Sequence, residues 1–366
     1  MPTHTTILNW TKKHGISHFH EPSFFGQQQW VLIADESIQF GNKKLLLILA
    51  VPESRCRQNK ALSYKDLRPL VLKVSSSWKS EEIMSEIIRS IDLQQIAYCI
   101  SDTGSNLTCA FKGLKIKHIS DINHAISLII KSIYEENPFF VTYTKELSSL
   151  RVQKSMSKIA RIVPPNQRVM NRFMNLTPLF EWGTDMLSSL DNNLLLPEEK
   201  TAVSFLEPMR EFIFDTYQIL LHLKTVEKLL KNNGFNHKTE KEALSVLSEL
   251  KSANSLKIIE KLKDYFSDLS SKSECNTVCC SSDIIESCFG KYKALVNGNK
   301  TVGISDLSLC IAAMSGHDSR DSIKESMEKV SMKKLKEWKT ENISKTLFAE
   351  KRELKKKVGR GYFKKE

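Results

Sequence analysis

Glycine and proline are scarce in this chain, 13 and 10 of 366 residues. With so few chain breakers, most of the length is expected to be regular structure. Long apolar runs are also missing. The longest, "LLLILAVP" (Leu45–Pro52), is far too short to cross a bilayer. The opening "MPTHTTILNW" has no basic stretch followed by an apolar core, so no secretion signal is read there. No repeat of 20–50 residues is visible. Eight cysteines are present, and "ECNTVCCSSD" brings Cys275 and Cys279 within four residues of each other. No second Cys or His pair accompanies them, whereas a structural zinc needs four such ligands. Reduced, unpaired cysteines are therefore expected, with a zinc site as the lesser alternative.

What is present is ordinary in bulk and unusual in charge. Hydrophobic residues make up 41% and charged residues 26%, as in soluble globular proteins, and the length suits about two domains. The formal net charge is +12. Such an excess points to polyanions, nucleic acid first. It is concentrated at one end: residues 324–366 hold 15 Lys or Arg against 7 Asp or Glu. That tail is either a phosphate-binding element or a solvated helix.

Residues 3–15 read as an amphipathic helix, capped by Thr5 or Thr6 and stopped at Gly15. It resembles the last helix of a helix-turn-helix, or is a plain capping helix. Strands follow at Trp30–Phe40, Lys43–Pro52 and Leu67–Trp78, the first two joined by a turn at Gly41 and Asn42. A Ser-capped helix (Ser80–Asp92), a strand (Ile96–Asp102), a short helix, a fifth strand and a helix capped by Asp121 (Asp121–Asn137) come next. Three strands in succession, then alternation, predict a mixed sheet with an antiparallel hairpin and parallel additions covered by helices. From Val141 to about Asn276 the pattern is almost wholly helical. One helix there should carry Val152, Met156, Ile159 and Val163 as an apolar stripe. A Ser/Cys-rich link leads into a capped helix over Ser282–Val296.

Three acids stand out. Asp35 lies mid-strand in "LIADESI", Asp102 ends the fourth strand before Thr103-Gly104, and Glu286 begins a late helix. This topology places the first and fourth strands side by side. A helix returning across them would bring three carboxylates to one point. Buried anions persist together only when a cation neutralises them. Two Mg²⁺ ions held by carboxylates are the usual solution, and such a pair serves phosphodiester chemistry. The alternative is that all three are turn and capping acids.

"LIADESIQFGNKKLLLILAV", "CISDTGSNL", "HISDINHA" and "SDIIESCFGKYK" together resemble a D-D-E transposase with an RNase H-like catalytic core, of the bacterial insertion-sequence kind. The resemblance covers roughly residues 30–140 and 280–315. It implies an α/β fold: an RNase H-like mixed five-stranded sheet flanked by helices, with a large all-helical insertion between the second and third acids. The implied segments are an N-terminal helix (1–29), the core's first part (30–140), the insertion (141–280), the core's final helix (281–315) and a basic helical tail (316–366). It implies Asp35, Asp102 and Glu286 as the metal-binding catalytic triad, using two Mg²⁺ or Mn²⁺ ions. The activity implied is hydrolysis at transposon ends, then transfer of the 3′-OH into target DNA. Double-stranded DNA would be the partner, with homo-oligomers in a synaptic complex, no membrane, and a bacterial cytoplasmic, nucleoid-associated location. The Tyr-Arg-Glu-Lys signature of some such enzymes is absent, with Ser282 at the expected Arg position.

"DINH" (Asp121–His124) is similar to a motif of transposases with helical insertions, which implies that His124 contacts the scissile phosphate or orients the site; otherwise it is a helix-start residue. Lys291 and Lys293 follow Glu286 by one to two turns and are candidate phosphate ligands. Lys154, Lys158, Arg161, Arg168 and Arg172 form a second basic patch, for DNA or for solvent. Trp182 either stacks on a flipped base, as in such insertions, or fills the core. The rival readings are a decayed relative that binds DNA without cutting and a plain RNase H-like nuclease.

Overall fold

The structure is a computed structural model, and it describes residues 1–20, 22–26, 28–40, 43–56, 58, 60–167, 172–272, 277–296, 304–316, 319–343, 351–356 and 358. In chain order the elements are α1 (His4–Ser17), β1 (Trp30–Phe40), β2 (Lys43–Pro52), α2 (Glu53–Cys56), β3 (Arg68–Ser75), α3 (Ser80–Ser90), β4 (Ile96–Ser101), α4 (Ser105–Gly113) and β5 (His118–Ser120). Seven helices follow: α5 (Ile122–Tyr134), α6 (Pro138–Lys154), α7 (Thr177–Asp191), α8 (Pro197–Val203), α9 (Arg210–Asn233), α10 (His237–Leu247) and α11 (Ala253–Lys272). The last are α12 (Asp283–Val296), α13 (Leu309–Ala313), α14 (Arg320–Lys329) and α15 (Met332–Asn342). Two compact units result, Met1–Asp121 with Cys279–Glu366, and Ile122–Val278. The first boundary thus falls at Asp121 rather than at 140, because α5 packs with helices α9 and α11.

The first unit is α/β. Its open mixed sheet runs β3-β2-β1-β4-β5, with β1 antiparallel to β2 and parallel to β4. The sequence expectation that the first and fourth strands are neighbours therefore holds. Val31–Ala34 of β1 and Leu45–Val51 of β2 are completely buried, as strands covered on both faces must be. Strand alternation divides them. Leu32, Ala34, Leu46, Ile48 and Cys99 pack under Ile83 and Ile87 of α3 and Leu107, Ala110 and Phe111 of α4. Val31, Ile33 and Asp35 therefore face the other side, where α12 packs against β1 and α13 against β3.

The chain's two ends fold together in this unit. Thr3, not Thr5 or Thr6, caps α1, its hydroxyl accepting the Thr6 N–H at 3.2 Å. Gly15 does not stop the helix either. A Cβ at Gly15 would lie 2.3 Å from the Leu309 carbonyl oxygen, so the glycine is there to let α1 and α13 touch. Ile16, Leu309, Val330 and Leu335 form a small core flanked by Phe19 and Trp338. Lys12 pairs with Asp306 at 3.1 Å. The tail through Ile343 is thus folded against α1, while residues 351–356 are helical and exposed.

The second unit is all helical. Tyr134, Phe140, Tyr143 and Phe180 form its aromatic centre, with Ile213 and Ile219 of α9 buried as well. The expected apolar stripe after Leu150 does not form. α6 ends at Lys154, leaving Val152 and Met156 exposed while Ile159 turns inward. Among the described residues no helix is long and apolar enough to cross a membrane.

Candidate functional site: acids at adjacent strand ends

Three aspartates stand in a row where β1, β4 and β5 run in parallel. The β1–β4 ladder ends at Ile33↔Ile100, and Asp35 and Asp102 each lie two residues further on. Two residues is one full strand repeat, so Asp35, still within β1, keeps the facing of Ile33, while Asp102 lies one residue past the end of β4. Ser101↔Ser120 closes the β4–β5 ladder, and the Asp121 N–H continues it by donating to the Ser101 carbonyl at 2.9 Å. Asp35 and Asp102 are half-buried; Asp121 is 1% exposed.

Asp102 is aimed by its own turn. Its Oδ1 accepts the Gly104 N–H at 3.0 Å. A Cβ at Gly104 would lie 2.8 Å from that oxygen, so any larger residue displaces the carboxylate. This is the physical role of the glycine in "SDTG". Ser101, buried beside it, meets His118 Nε2 at 2.8 Å.

Glu36, the next residue after Asp35, points to the opposite face. There it hydrogen-bonds Asn106 of α4 and lies 3.8 Å from Lys44 Nζ. Burial raises its carboxyl pKa above the ordinary glutamate value, and the Asp102 charge adds to the rise; Lys44 and Asn106 oppose it. Glu36 and Asp102 are thus close enough to interact electrostatically.

Asp121 also reaches across the chain. Its Oδ2 accepts both the N–H and the hydroxyl of Ser282, at 2.7 and 3.0 Å. That clamp fixes the start of α12 to the end of β5. Beyond it, α12 buries Ile285, Cys288, Phe289, Tyr292 and Val296. Glu286 falls about 100° round the helix from Ile285, at the margin of the buried face, and is exposed. Among the described residues no three His, Cys, Asp or Glu side chains are gathered closely enough to hold a metal ion. Asp35 lies on β1, Asp102 just past the end of β4, and Glu286 on α12, which packs against β1. Asp35 and Asp102 are half-buried carboxylate oxygen donors, a donor type that fits a hard divalent cation such as Mg²⁺ or Mn²⁺.

Comparison of the sequence with protein-family models and with curated proteins finds no match to either.

On α12, Lys291 and Lys293 are both exposed. Lys291 Nζ sits 3.9 Å over the Tyr64 ring, whose hydroxyl meets Ser287 Oγ at 2.6 Å. The remaining sequence candidates belong to the helical unit. His124 lies half-buried in the first turn of α5, and Lys154 and Lys158 follow at and after the end of α6. Arg161 is not a spare cation: its Nε and Nη2 bind the two oxygens of buried Glu199, both at 2.7 Å. Arg168 lies outside the described residues, as does the side chain of Arg172. Trp182 is 8% exposed, and its indole N–H donates to the Ile162 carbonyl at 3.0 Å. It is a core residue of its unit, so the stacking role is corrected. Glu36, Asn106 and the Asp121–Ser282 clamp were not read from the sequence, whereas the turn at Thr103-Gly104 was.

Proposed function

We propose that the chain is a metal-dependent polynucleotidyl transferase acting on DNA, a D-D-E transposase with an RNase H-like core. The observation that carries this reading is the matched register of Asp35 and Asp102 on adjacent parallel strands, with α12 on the face to which Asp35 turns. The mixed sheet order is compatible with an RNase H-like fold. The charge of +12 favours a polyanionic partner.

In this reading Asp35 and Asp102 would hold divalent cations, with Glu286 of α12 as the third carboxylate. Bound there, such cations would activate the attacking oxygen and stabilise the leaving one. The chain's own residues do the rest. Gly104 aims Asp102, Asp121 anchors α12 through Ser282, and Lys291 and Lys293 bind phosphates beside the scissile bond. Transfer of the 3′-OH to target DNA, a synaptic oligomer and a nucleoid location in bacteria belong to the same proposal. A second reading is a relative that binds DNA without cutting it, favoured by the lack, among the described residues, of three metal-ligating side chains gathered at one point.

One assay separates the two. Purified protein is incubated with Mg²⁺ or Mn²⁺ and a supercoiled plasmid carrying the DNA that flanks the reading frame. Nicking that is lost in Asp35→Ala, Asp102→Ala and Glu286→Gln, with DNA binding retained, supports the transferase. Binding without nicking by the wild type supports the second reading.

A further inference from the structure

We propose that Cys56 and Cys279 are a disulfide-forming pair, closed by a two-electron oxidant of the peroxide class, that clamps the chain just before α12 to the turn that follows β2. Cys56 ends α2 and is 4% exposed; Cys279 is half-buried where the chain re-enters this unit. The two thiols are close enough that Cys56 is the first cause of the raised Cys279 pKa. Tyr98 of β4 lies beside both: its hydroxyl accepts the Cys279 N–H at 3.0 Å and hydrogen-bonds Cys56. Three groups from distant parts of the sequence thus meet at one buried point. None of them belongs to the acid site, so the inference stands whether or not the chain cuts DNA.

The chemistry balances with one peroxide. The more exposed Cys279 thiolate attacks a peroxide oxygen, the O–O bond breaks, and hydroxide leaves Cys279 as a sulfenic acid. The Cys56 sulfur then attacks the Cys279 sulfur. The S–O bond breaks, the Cys56 proton departs with that oxygen as water, and the S–S bond forms. Two thiols and one peroxide give one disulfide and two waters.

The surroundings set the rate. The hydrogen bond with Cys56 pushes the Cys279 thiol well above the ordinary cysteine value, burial and the neighbouring Cys280 add to this, and Arg55 opposes it. Tyr98 is likewise raised by burial and stays neutral. Thiolate is therefore scarce at neutral pH, and oxidation accelerates as pH rises. Once closed, the bond ties the approach to α12, and with it the helix that carries Glu286, to the sheet.

The test uses the full chain and hydrogen peroxide. Protein is oxidised at about pH 7 and about pH 9, quenched, alkylated and mapped by mass spectrometry without reduction; the thiolate supply predicts roughly tenfold faster closure per pH unit. The expected product has lost two hydrogen masses, joins the Cys56 peptide to the Cys279 peptide, melts at a higher temperature and is reversed by dithiothreitol. Cys56→Ser and Cys279→Ser abolish the link, and Cys280→Ser keeps it. Cys109, exposed on α4, is the internal control. Oxidation of Cys109 while Cys56 and Cys279 remain thiols in the wild type overturns the proposal, as does a bond from Cys279 to Cys275 or Cys280.

Discussion

Asp35 and Asp102 stand at the same step of adjacent parallel strands, each two residues beyond the Ile33↔Ile100 pair. Neighbouring strands lie about 4.8 Å apart, so equal steps place like-facing side chains next to each other. Two carboxylates so placed repel in the absence of a shared counter-charge and gain most from one. That relation underlies the functional reading.

Gly104→Ala tests how Asp102 is aimed. The backbone there, at φ −55° and ψ 129°, suits any residue. The fold should therefore change by less than about 0.5 kcal/mol. The new methyl would meet Asp102 Oδ1 and swing the carboxylate aside. Cation affinity and nicking should fall roughly tenfold, about 1.4 kcal/mol, at an unchanged melting temperature. Full activity in this variant would show that the orientation of Asp102 does not matter.

Glu36 gives a pH signature. Its carboxyl holds its proton to a higher pH in the folded protein than in the unfolded chain. Folding then takes up protons, so this group's contribution to stability declines as pH rises from about 4.3 through the folded value. Glu36→Gln removes the decline. Denaturant melts across that range should show the variant gaining on the wild type towards neutrality and losing the advantage near pH 4. A gap that widens as pH falls would contradict the sign.

The tail should be cut after Ile343, not before Lys324. Removing α14 and α15 strips Val330 and Leu335 from their core with Ile16. Residues 344–366, of which 351–356 are exposed, still carry nine Lys or Arg. Deleting residues 344–366 should leave the melting temperature within about 2 °C and flatten the slope of log K against log salt for duplex DNA. An unchanged slope would show that these cations do not touch phosphate.

Trp182→Ala should behave as a core deletion. The side chain is buried and its N–H engaged, so a loss of about 3–5 kcal/mol is expected, with all activities falling together. An unchanged melt combined with a selective defect on pre-nicked DNA would restore the stacking role.

Which features were legible in the sequence follows from their range. Asp35 and Asp102 were readable because strand alternation and a turn residue are local signals. The neighbouring strands followed from the order of elements. Glu286 was placed on the correct helix, but its facing depended on which residues α12 buries, and Ile285 rather than Glu286 leads that face. The bond from Asp121 to Ser282 left no local signal because the two lie 161 residues apart. Glu36 was hidden beside Asp35, since adjacent strand residues face opposite sides. The stripe of Val152 and Met156 failed because α6 ends at Lys154.

The central claim is that Asp35 and Asp102 share a divalent cation, and Mn²⁺ binding read by electron paramagnetic resonance tests it without any substrate. The account predicts saturable binding to the wild type, weakened at least tenfold, or about 1.4 kcal/mol, by Asp35→Asn and by Asp102→Asn separately, and less by Glu286→Gln. Undiminished Mn²⁺ binding in the two variants would contradict the account.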